Sequence, residues 1–599
     1  MKPTSEILKR MESNSEAHKD GIYTRLYRYL LREDIYMTAY QKLYSNKGAG
    51  TEGTDNDTAD GFGEEYVHQL IEELRNLTYE PKPVKRVYIP KRNGKKRPLG
   101  IPSFRDKLVQ EAMRMILEAI YEPIFSTHSH GFRPNRSCHT ALAEIGNSFR
   151  GTIWFIEGDI KGCFDNIDHN VLLKILSEKI KDSKFINLVR KFLKAGYMED
   201  WEYHKTYSGT PQGGILSPIL ANIYLHELDK KVEAMRENFN APCKRDRSPA
   251  YRHKGYEIGK LRKRYGQSSD KADKKALLKQ IHKLGVELRK LPSKDATDKK
   301  IAYVRYADDF IVGVNGTREE AEQIKRELTD FSRERLKLEL SSEKTKITHS
   351  SEKALFLGYD VSVRRSSVTK PTKSGITRRT MNYSVDITIP LKRIEGFLFE
   401  HKVIKQDKNG SFIPWHRDYL TGSTDLEIID TYNAQTRGIC NYYNLASNFS
   451  KLGYFAYLME YSCLKTLAKK YKTRIRALIK KYRVGKKWGI PYETKKGIQR
   501  MMIVRLSDFE RGNIFENSDI DTIKDRHHYS DINSLEKRLK AHKCELCGIE
   551  GDDVSFEIHH VNKLKNLKGK TLWEKAMIAK KRKTLVVCHK CHMKIHHSS

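Results

Sequence analysis

Three aspartates have the chemistry and the sequence context of a site that binds divalent cations for phosphoryl transfer. Asp159 lies at the end of the short apolar run 152–160, which predicts a buried strand. Asp308 and Asp309 lie between two β-type runs in 302–314, which predicts a hairpin with carboxylates at its turn. Two cations about 4 Å apart can bridge an attacking hydroxyl and a leaving phosphate oxygen, and carboxylates from separate strands can hold them. The three side chains can form such a site if the two strands are neighbours.

Two adjacent aspartates at a turn do not establish catalysis by themselves. Like charges raise each other's pKa, and the pair gains nothing from this placement unless a cation is bound. A plain solvated turn is the alternative interpretation, and the rest of the sequence has to decide between the two.

Four cysteines near the end of the chain have the spacing of a zinc site. They form two Cys-x-x-Cys pairs, Cys544 with Cys547 and Cys588 with Cys591. Four thiolates can complete a tetrahedral Zn²⁺ shell. Because the chain has only nine cysteines in 599 residues, the clustering indicates metal binding rather than a disulfide framework.

Histidines are concentrated in the same tail, where seven of the chain's 22 follow residue 540. His559 and His560 lie between the two cysteine pairs, and His592 and His596 follow at a spacing that puts both imidazoles on one helix face. A zinc ribbon that only binds DNA is one interpretation of this tail. Such a ribbon would not need the His559-His560 pair.

The elements that must position these residues can be outlined from periodicity. Residues 1–80 read as mostly helical, interrupted by the glycine-rich loop 46–63, which lacks the Gly-Lys-Ser/Thr ending of a phosphate-binding loop and is interpreted as a plain loop. A hairpin is predicted around Gly94, and a helix that Ser217 caps is predicted to begin at Pro218. A further helical region should run from 424 to about 482.

Charge and length indicate a multidomain protein that binds nucleic acid. Lys and Arg number 112 against 76 Asp and Glu, a formal net charge of +36, while 38% of residues are hydrophobic, so the chain can bury real cores. No apolar stretch is long enough for a membrane span, and the first residues do not form a signal peptide. We therefore expect no membrane partner and a cytoplasmic location.

Two basic segments are candidates for nucleic-acid contact. The insertion 244–300 carries 19 Lys or Arg and 7 Asp or Glu with few large apolar residues, and a solvated helical hairpin is its alternative interpretation. The later part of the helical region 424–482 interleaves Lys and Arg with tyrosines, which suits phosphate neutralisation with base stacking.

Motifs in order along the chain resemble those of the group II intron-encoded reverse transcriptases. Tyr306-Ala307-Asp308-Asp309 resembles the catalytic signature of reverse transcriptases, and 159–169 resembles their other acidic motif. Further blocks that match are 97–102 (RPLGIP), 130–134 (HGFRP), 210–218 (TPQGGILSP), 341–345 (SSEKT), 356–358 (FLG), 432–433 (YN), 437–438 (RG) and 441–443 (NYY). The tail is similar to the HNH endonucleases, so the resemblance covers nearly the whole chain.

The resemblance implies a multidomain α+β architecture. A right-hand polymerase, with fingers, a palm built on an antiparallel sheet and a helical thumb, would be followed by a DNA-binding segment and a small zinc-stabilised ββα-metal HNH domain. The implied bounds are 1–360 for fingers and palm, including the insertion 244–300, then 388–489 for the thumb or maturase (X) domain, 490–541 for the DNA-binding segment and 542–599 for the HNH domain.

The resemblance also implies roles for residues of the polymerase. Asp159, Asp308 and Asp309 would hold Mg²⁺ together with the backbone carbonyl of Ile160. The remaining implied contacts are with the incoming deoxynucleotide: Lys91 and Arg97 on the triphosphate, Gln212 on the nucleotide, and Phe164 against a ribose 2′-hydroxyl.

Three polar residues near the predicted polymerase site stay outside the implied catalytic set. Lys344 could donate a proton to departing pyrophosphate or could be a surface lysine. Asp165 and Asp168 are expected to hydrogen-bond locally or to cap a helix.

In the tail, the resemblance implies that His559, His592 and His596 bind a catalytic cation, which would be Mg²⁺ as in the polymerase. His560 would be the general base that activates water, and Glu557 would orient a histidine. Cys544, Cys547, Cys588 and Cys591 would bind structural Zn²⁺. Where many HNH enzymes place an Asn or His before the second cysteine pair, this chain has Arg582-Lys583-Thr584-Leu585, so the middle residue of the motif is unassigned.

The implied function is intron mobility, in a bacterial protein that associates with the nucleoid when DNA is bound. The protein would help its intron RNA to splice, stay bound to it as a ribonucleoprotein, nick double-stranded target DNA and copy the RNA from that nick using dNTPs. A retron-like or host reverse transcriptase with a DNA-binding zinc tail and no splicing role is one alternative, and a homing endonuclease with an inactive polymerase is another. Monomer and dimer are both compatible with the sequence.

Overall fold

The structure is a computed structural model. It describes residues 2–44, 46, 48–55, 57–90, 94, 96–200, 202–210, 213–240, 247–291, 299–366, 369–371, 377–379, 383–494, 497–509 and 534–597. Both helices and strands occur along these ranges, so the predicted mixed, multidomain class of helices and sheets is confirmed. None of the described helices is both long and apolar enough to cross a membrane.

The first hundred residues are mainly helical and end in the predicted hairpin. The two hairpin strands pair antiparallel, with Ile89 opposite Arg97. The elements up to the long helix that follows the hairpin are α1 (Thr4–Ala17), α2 (Glu33–Leu43), β1 (Phe62–Gly63), α3 (Glu64–Arg75), β2 (Val84–Pro90), β3 (Lys96–Ile101) and α4 (Phe104–Tyr121).

A four-stranded antiparallel sheet with the order β7-β8-β4-β9 forms the centre of the next segment. The elements of this segment are α5 (Cys138–Ser148), β4 (Trp154–Asp159), α6 (Cys163–Asn166), α7 (His169–Lys179), α8 (Ser183–Lys194), β5 (Tyr197–Glu199), β6 (Glu202–His204), α9 (Ser217–Phe239), α10 (Pro249–Gln267), α11 (Lys271–Lys290), β7 (Lys300–Tyr306), β8 (Asp309–Asn315), α12 (Arg318–Arg335) and β9 (Lys346–His349). The apolar run 152–160 and the two β-type runs in 302–314 are therefore three strands of one sheet.

The start of α9 differs from the prediction by one residue. Ser217 is the first helical residue and Leu216 occupies the cap position, so the predicted Ser217 cap is wrong. Gln110 of α4 instead holds the segment just before the helix, because its Oε1 accepts hydrogen bonds from the backbone N–H groups of Ile215 (2.9 Å) and Leu216 (3.3 Å).

The helical region predicted for 424–482 is present as three helices. They pack with small sheets and contribute to a second apolar core that includes Tyr432, Leu464 and Trp488. The elements from 354 to 502 are β10 (Ala354–Phe356), β11 (Tyr359–Val363), β12 (Thr369–Pro371), β13 (Thr377–Arg379), β14 (Val385–Thr388), α13 (Leu391–Glu400), β15 (Ile404–Gln406), β16 (Phe412–Pro414), α14 (Asp425–Tyr442), α15 (Leu452–Lys470), α16 (Ile475–Tyr482), β17 (Arg483–Val484), β18 (Lys487–Thr494) and β19 (Gly497–Met502).

The tail forms a small ββα unit that packs against the N-terminal helices. Its elements are α17 (Ser534–Leu539), β20 (Phe556–His560), α18 (Leu572–Lys580), β21 (Thr584–Cys588) and α19 (His589–His597). Strand β1 pairs with β20, so the sheet order is β1-β20-β21. Ile558 and Val586 of the tail belong to the same apolar cluster as Leu70 and Phe104 near the N-terminus.

A buried ion pair joins the β7-β8 hairpin to helix α9. The Arg305 guanidinium on β7 donates to Asp229 on α9 at 2.6 and 2.7 Å, and both side chains are fully buried. Tyr303 donates a third hydrogen bond to Asp229 (2.8 Å). Removing one partner of a buried pair typically costs about 3–5 kcal/mol, because the other charge is left without compensation. This network therefore fixes the hairpin to α9.

Candidate functional site

The central sheet brings the three predicted aspartates together. Asp159, the last residue of β4, is paired directly with Asp309, the first residue of β8. Asp308 precedes Asp309 in the turn after β7, where Ala307 has a φ of +55°. The condition set by the sequence, that the two strands be neighbours, is met. Carboxylates from two separate strands therefore meet at one end of the two central strands of the sheet.

Close backbone packing explains how the turn reaches this position. A Cβ on Gly131 would lie 2.3 Å from the Ala307 nitrogen, so only glycine allows the 130–134 segment to approach the turn this closely. The Arg305 guanidinium also donates to the Ala307 carbonyl (2.9 Å), and Asn222 donates to the Gly131 carbonyl (2.9 Å). The turn is therefore held from two sides in its left-handed conformation.

The carboxylates experience strong mutual repulsion. Burial, the neighbouring Asp308 and then Asp159 raise the pKa of Asp309 from 3.8 to about 7. Burial and the Asp159 charge also raise the pKa of Asp308, while the charges of Lys344 and Arg97 act in the opposite direction. Such an arrangement is costly without positive charge, and it favours divalent cations.

Lys344 contacts the carboxylates directly, which the sequence left undecided. Its Nζ lies 3.0 and 2.9 Å from the two carboxylate oxygens of Asp159. The hydrogen bond to Asp159 raises the pKa of Lys344. The loop before β9 places it there, because Ser341 N–H donates to the Asp159 carbonyl (2.8 Å). A surface lysine with no part in the site is therefore the weaker interpretation.

Three of the other predicted polymerase residues, Phe164, Arg97 and Ile160, lie among the residues that the structure describes. Phe164, in α6, packs edge-on against Phe132 with ring centroids 6.1 Å apart, and its carbonyl accepts from Thr210 N–H (2.7 Å). Arg97 lies on β3 near enough to act on Asp308 electrostatically, and Ile160 follows Asp159 in a bridge to Leu340.

Lys91 and Gln212 lie outside the residues that the structure describes. Asp168, which was left out of the catalytic set, caps α7 by accepting from Val171 N–H (2.9 Å), as predicted.

The four tail cysteines form a compact cluster. One ligand atom of each lies within 4.8 Å of the others, and Cys547 Sγ is 3.8 Å from Cys588 Sγ. Strand β21 and helix α19 supply one pair, and the loop after α17 supplies the other. Four thiolates at this separation fit the tetrahedral shell of Zn²⁺.

The predicted histidine site is also assembled. His559 on β20 and His592 and His596 on α19 offer ring nitrogens within one group whose ligand atoms lie within 4.8 Å. Glu557 hydrogen-bonds Nδ1 of His592 and, at 2.6 Å, Nδ1 of His589, so it orients a histidine as predicted. His560 points to the other side of β20, where its ring packs edge-on against Tyr44 with centroids 6.1 Å apart.

Comparison with known proteins assigns the chain to a family. The reverse transcriptase (RNA-dependent DNA polymerase) model matches 89–241 and 277–361, the type II intron maturase model matches 382–538, and the AI2M/AI1M-like HNH endonuclease model matches 544–592. The group II intron-encoded protein LtrA of Lactococcus lactis subsp. cremoris is 55% identical over 100% of both chains. The chain belongs to the group II intron-encoded proteins. It is therefore an intron mobility protein, with RNA-directed DNA polymerase and HNH endonuclease activities and a maturase domain.

Fungal relatives of this group II intron-encoded protein extend the similarity. An uncharacterized 91 kDa protein in the cob intron of Schizosaccharomyces pombe is 37% identical over 99% of this chain and 73% of its own length. A putative COX1/OXI3 intron 2 protein of Saccharomyces cerevisiae is 35% identical over 99% of this chain and 68% of its own. A retron-like polymerase without a splicing role would not account for the match to the type II intron maturase model, so that alternative is disfavoured.

The sequence missed one member of the histidine site in this group II intron-encoded protein. Asp60 belongs to the loop interpreted as a plain connection, yet its carboxylate joins His559, His592 and His596 in one group of candidate ligands. That interpretation of the loop is wrong, because Phe62 and Gly63 at its end form strand β1 on the tail sheet. No local signal marks Asp60, since the contact spans about 500 positions of sequence.

The two basic segments of the protein differ in how their charge is used. Helices α10 and α11 form the predicted hairpin, which is largely exposed and buries only Ile258 and Leu277 among its described residues. On α15, Lys469 pairs with Asp418 (2.5 Å) and Lys470 pairs with Asp425 (2.8 Å). Carboxylates of the same domain thus neutralise part of the charge of the second basic segment. Nucleic-acid contact by the α10-α11 hairpin stays a prediction.

Proposed function

We propose that Asp159, Asp308 and Asp309 are the cation ligands of the polymerase, and that the tail nicks target DNA with His560 as general base. The observation that carries the polymerase assignment is the pairing of Asp159 with Asp309 beside Asp308. Three carboxylates that converge in a partly buried place, with the pKa values of Asp308 and Asp309 raised, are costly to the fold, and a bound cation offsets that cost.

We assign the parts of a right-hand polymerase to the described elements. Residues 1–360 would form the fingers and the palm, with the β7-β8-β4-β9 sheet as the palm sheet and α10-α11 as an insertion. Residues 388–489 would form the thumb or maturase domain, 490–541 the DNA-binding segment and 542–599 the HNH domain. The maturase match over 382–538 and the endonuclease match over 544–592 support this division.

In nucleotide addition, the side chains around the carboxylates would have separate tasks. Mg²⁺ held by the three aspartates would polarise the attacking hydroxyl and the leaving oxygen. Arg97 would bind phosphate oxygens with its planar guanidinium, and Lys344 would give a proton to the departing pyrophosphate. The ring of Phe164, braced by Phe132, would leave no room for a 2′-hydroxyl and so select deoxynucleotides.

In DNA nicking, His560 would take a proton from the attacking water. Burial lowers the pKa of His560, so the imidazole is neutral and able to accept a proton near pH 7. A cation at His559 and His592 would stabilise negative charge on the scissile phosphate. Glu557 would hold the His592 ring in place, and Zn²⁺ on the four cysteines would hold the small unit together.

We expect replacement of Lys344 by Ala to slow nucleotide addition by about 10²-fold, the usual contribution of a positioned general acid. The change should act on the maximal rate more than on dNTP affinity, and it should remove the loss of rate at high pH that comes from deprotonation of Lys344. Single-turnover primer extension on an RNA template across a pH series measures both.

The matched control for this change is Lys337→Ala. Lys337 is another exposed lysine of the same segment, but it pairs with Asp168 (2.8 Å) rather than with Asp159. If Lys344→Ala and Lys337→Ala have the same rate and pH profile, Lys344 has no part in proton transfer.

The intron RNA partner can be tested directly. We expect one structured RNA to copurify with the protein and to stay bound when salt is raised, because specific contacts add to the salt-sensitive phosphate contacts. Sequencing of the copurified RNA at low and high salt measures this. A heterogeneous RNA population that dissociates at high salt would show that the basic surface binds RNA only through charge.

A further inference from the structure

The N-terminal segment and the tail meet at one group of polar atoms. Asp60 Oδ1 lies 3.1 Å from His559 Nδ1 and 3.2 Å from His592 Nε2, and Asp60 Oδ2 lies 2.9 Å from His596 Nε2. The backbone N–H of His560 also donates to Asp60 Oδ1 (2.7 Å). One carboxylate thus faces three imidazoles from the opposite end of the chain.

Backbone pairing holds Asp60 in this place. Strand β1 pairs with β20, with Phe62 opposite Ile558, and Gly61 N–H donates to the Ile558 carbonyl (3.1 Å). A Cβ on Gly63 would lie 2.5 Å from the Phe556 carbonyl oxygen, so glycine is needed for this approach. Asp60 is therefore positioned by an added strand, not by a chance side-chain contact.

Aromatic packing anchors the same segment to α2. The Phe62 ring stacks on Tyr40 with centroids 4.0 Å apart, and the Tyr40 hydroxyl donates to the Ala59 carbonyl (2.8 Å). Residues on both sides of Asp60 are thus fixed to the N-terminal helices, while the carboxylate reaches the tail.

His559 gives a second and independent indication of a bound ion. Its side chain is 6% exposed, yet its Nδ1 meets only the Asp60 carboxylate, at 3.1 Å and without good hydrogen-bond geometry, and its Nε2 makes no hydrogen bond in the described chain. A buried polar nitrogen without a hydrogen bond is costly, and such groups are rare in native structures. A cation bound by the ring would supply the missing partner.

The donor set identifies the chemical class of the cation. Three imidazole nitrogens and one carboxylate oxygen fit a tetrahedral transition-metal dication such as Zn²⁺ or Co²⁺. Mg²⁺ prefers oxygen ligands in octahedral geometry and retains several waters, so this site suits it poorly. The expectation from sequence that Mg²⁺ serves the tail is therefore less well matched than a transition metal.

We propose that Asp60, His559, His592 and His596 form one shared transition-metal site that ties the HNH domain to the N-terminal segment. The inference rests on the proposed role of the three histidines in cation binding and adds a ligand from outside the endonuclease domain. The ion would then link the polymerase half of the protein to its nuclease, because neither end of the chain holds all four donors.

The full-length protein, with the cysteine site loaded with Zn²⁺, can be titrated with Co²⁺. We expect one further tetrahedral Co²⁺ per chain, with the strong visible absorption bands of that geometry and no thiolate charge-transfer bands. Co²⁺ at the three polymerase aspartates would be octahedral and would absorb only weakly. Asp60→Asn and Asp60→Ala should weaken Co²⁺ binding by about tenfold or more and shift the spectrum. The thermal midpoint of Asp60→Asn without Co²⁺ checks that the fold is intact.

Asp57→Ala is the matched control within the same loop. The Asp57 carboxylate accepts from the Tyr66 hydroxyl (2.6 Å), away from the histidines, so this variant should bind Co²⁺ as the unmodified protein does. Hydrogen exchange gives a second measurement: Co²⁺ should slow exchange at 57–63 in the unmodified protein and in Asp57→Ala, but not in Asp60→Ala.

His592→Ala separates the two levels of the hypothesis. If this variant still binds the second Co²⁺ normally, the assignment of a cation to the histidines fails, and the shared site fails with it. If His592→Ala loses Co²⁺ while both Asp60 variants bind it with unchanged affinity and spectrum, the histidine site stands and the shared site is wrong.

Discussion

Replacing Asp308 by Ala is expected to abolish cDNA synthesis, with a loss on the order of 10³-fold or more, as for other preorganised electrostatic groups in active sites. Asp308 lies in the turn between β7 and β8, beside the Asp159–Asp309 pair. Primer extension on an RNA template with dNTPs and Mg²⁺ measures the effect. DNA nicking and support of splicing should persist, because both are assigned to other parts of the chain.

Stability distinguishes loss of chemistry from loss of fold in this variant. Because the pKa of Asp309 is raised from 3.8 to about 7, the cation-free protein binds this proton more tightly when folded and loses stability as pH rises through that range. Removing the Asp308 charge removes part of the repulsion, so Asp308→Ala should lose less stability between about pH 4 and pH 7. Thermal midpoints at several pH values, in the absence of divalent cation, test this.

Asp330→Ala is the matched control, since Asp330 is an exposed aspartate on α12 that pairs only with Arg333 among its described ion-pair partners. It should retain full cDNA synthesis and the pH dependence of the unmodified protein. A normal rate of cDNA synthesis in Asp308→Ala would refute the cation site at 159, 308 and 309. Loss of splicing support in a folded Asp308→Ala protein would refute the division of tasks among the domains.

How far the sequence predicts this site depends on the range of each contact. Asp159 and Asp309 could be placed together because Asp159 ends one recognisable apolar run and Asp309 begins another, so antiparallel pairing of the two strands brings them side by side. The helical spacing of His592 and His596 likewise predicted a shared face. These placements need only local periodicity and one assumption about which strands are neighbours.

Asp60 shows why the remainder could not be predicted. Its loop is rich in glycine, which sequence rules read as a connection, but Gly61 and Gly63 permit a third strand on the tail sheet. Pairing between two strands about 500 positions apart leaves no periodic signal in either. Gln110 is another long-range contact with no local signal, because it lies on α4 and binds the backbone just before α9.

Replacing His560 by Ala is expected to reduce DNA nicking by about 10²–10⁴-fold, the range of a positioned general base. The side chain is 9% exposed, and burial lowers its pKa, so the neutral ring that can accept a proton predominates near pH 7. Nicking of a supercoiled plasmid or a labelled target duplex measures the loss, and cDNA synthesis from a supplied primer should be unchanged. Added imidazole should restore part of the nicking rate, because it can occupy the space of the missing ring.

Measurement of Co²⁺ binding distinguishes whether His560 acts as a general base or as a cation ligand. His559 and His560 are adjacent on β20 and point to opposite sides, towards Trp573 (ring centroids 4.9 Å apart) and towards Tyr44 (6.1 Å), respectively. His560→Ala should therefore bind Co²⁺ as the unmodified protein does, whereas His592→Ala should not. His597→Ala, at an exposed position of α19, should retain both nicking and Co²⁺. If His560→Ala loses Co²⁺ together with nicking, His560 acts through the cation site, and the base has to be sought elsewhere in the tail.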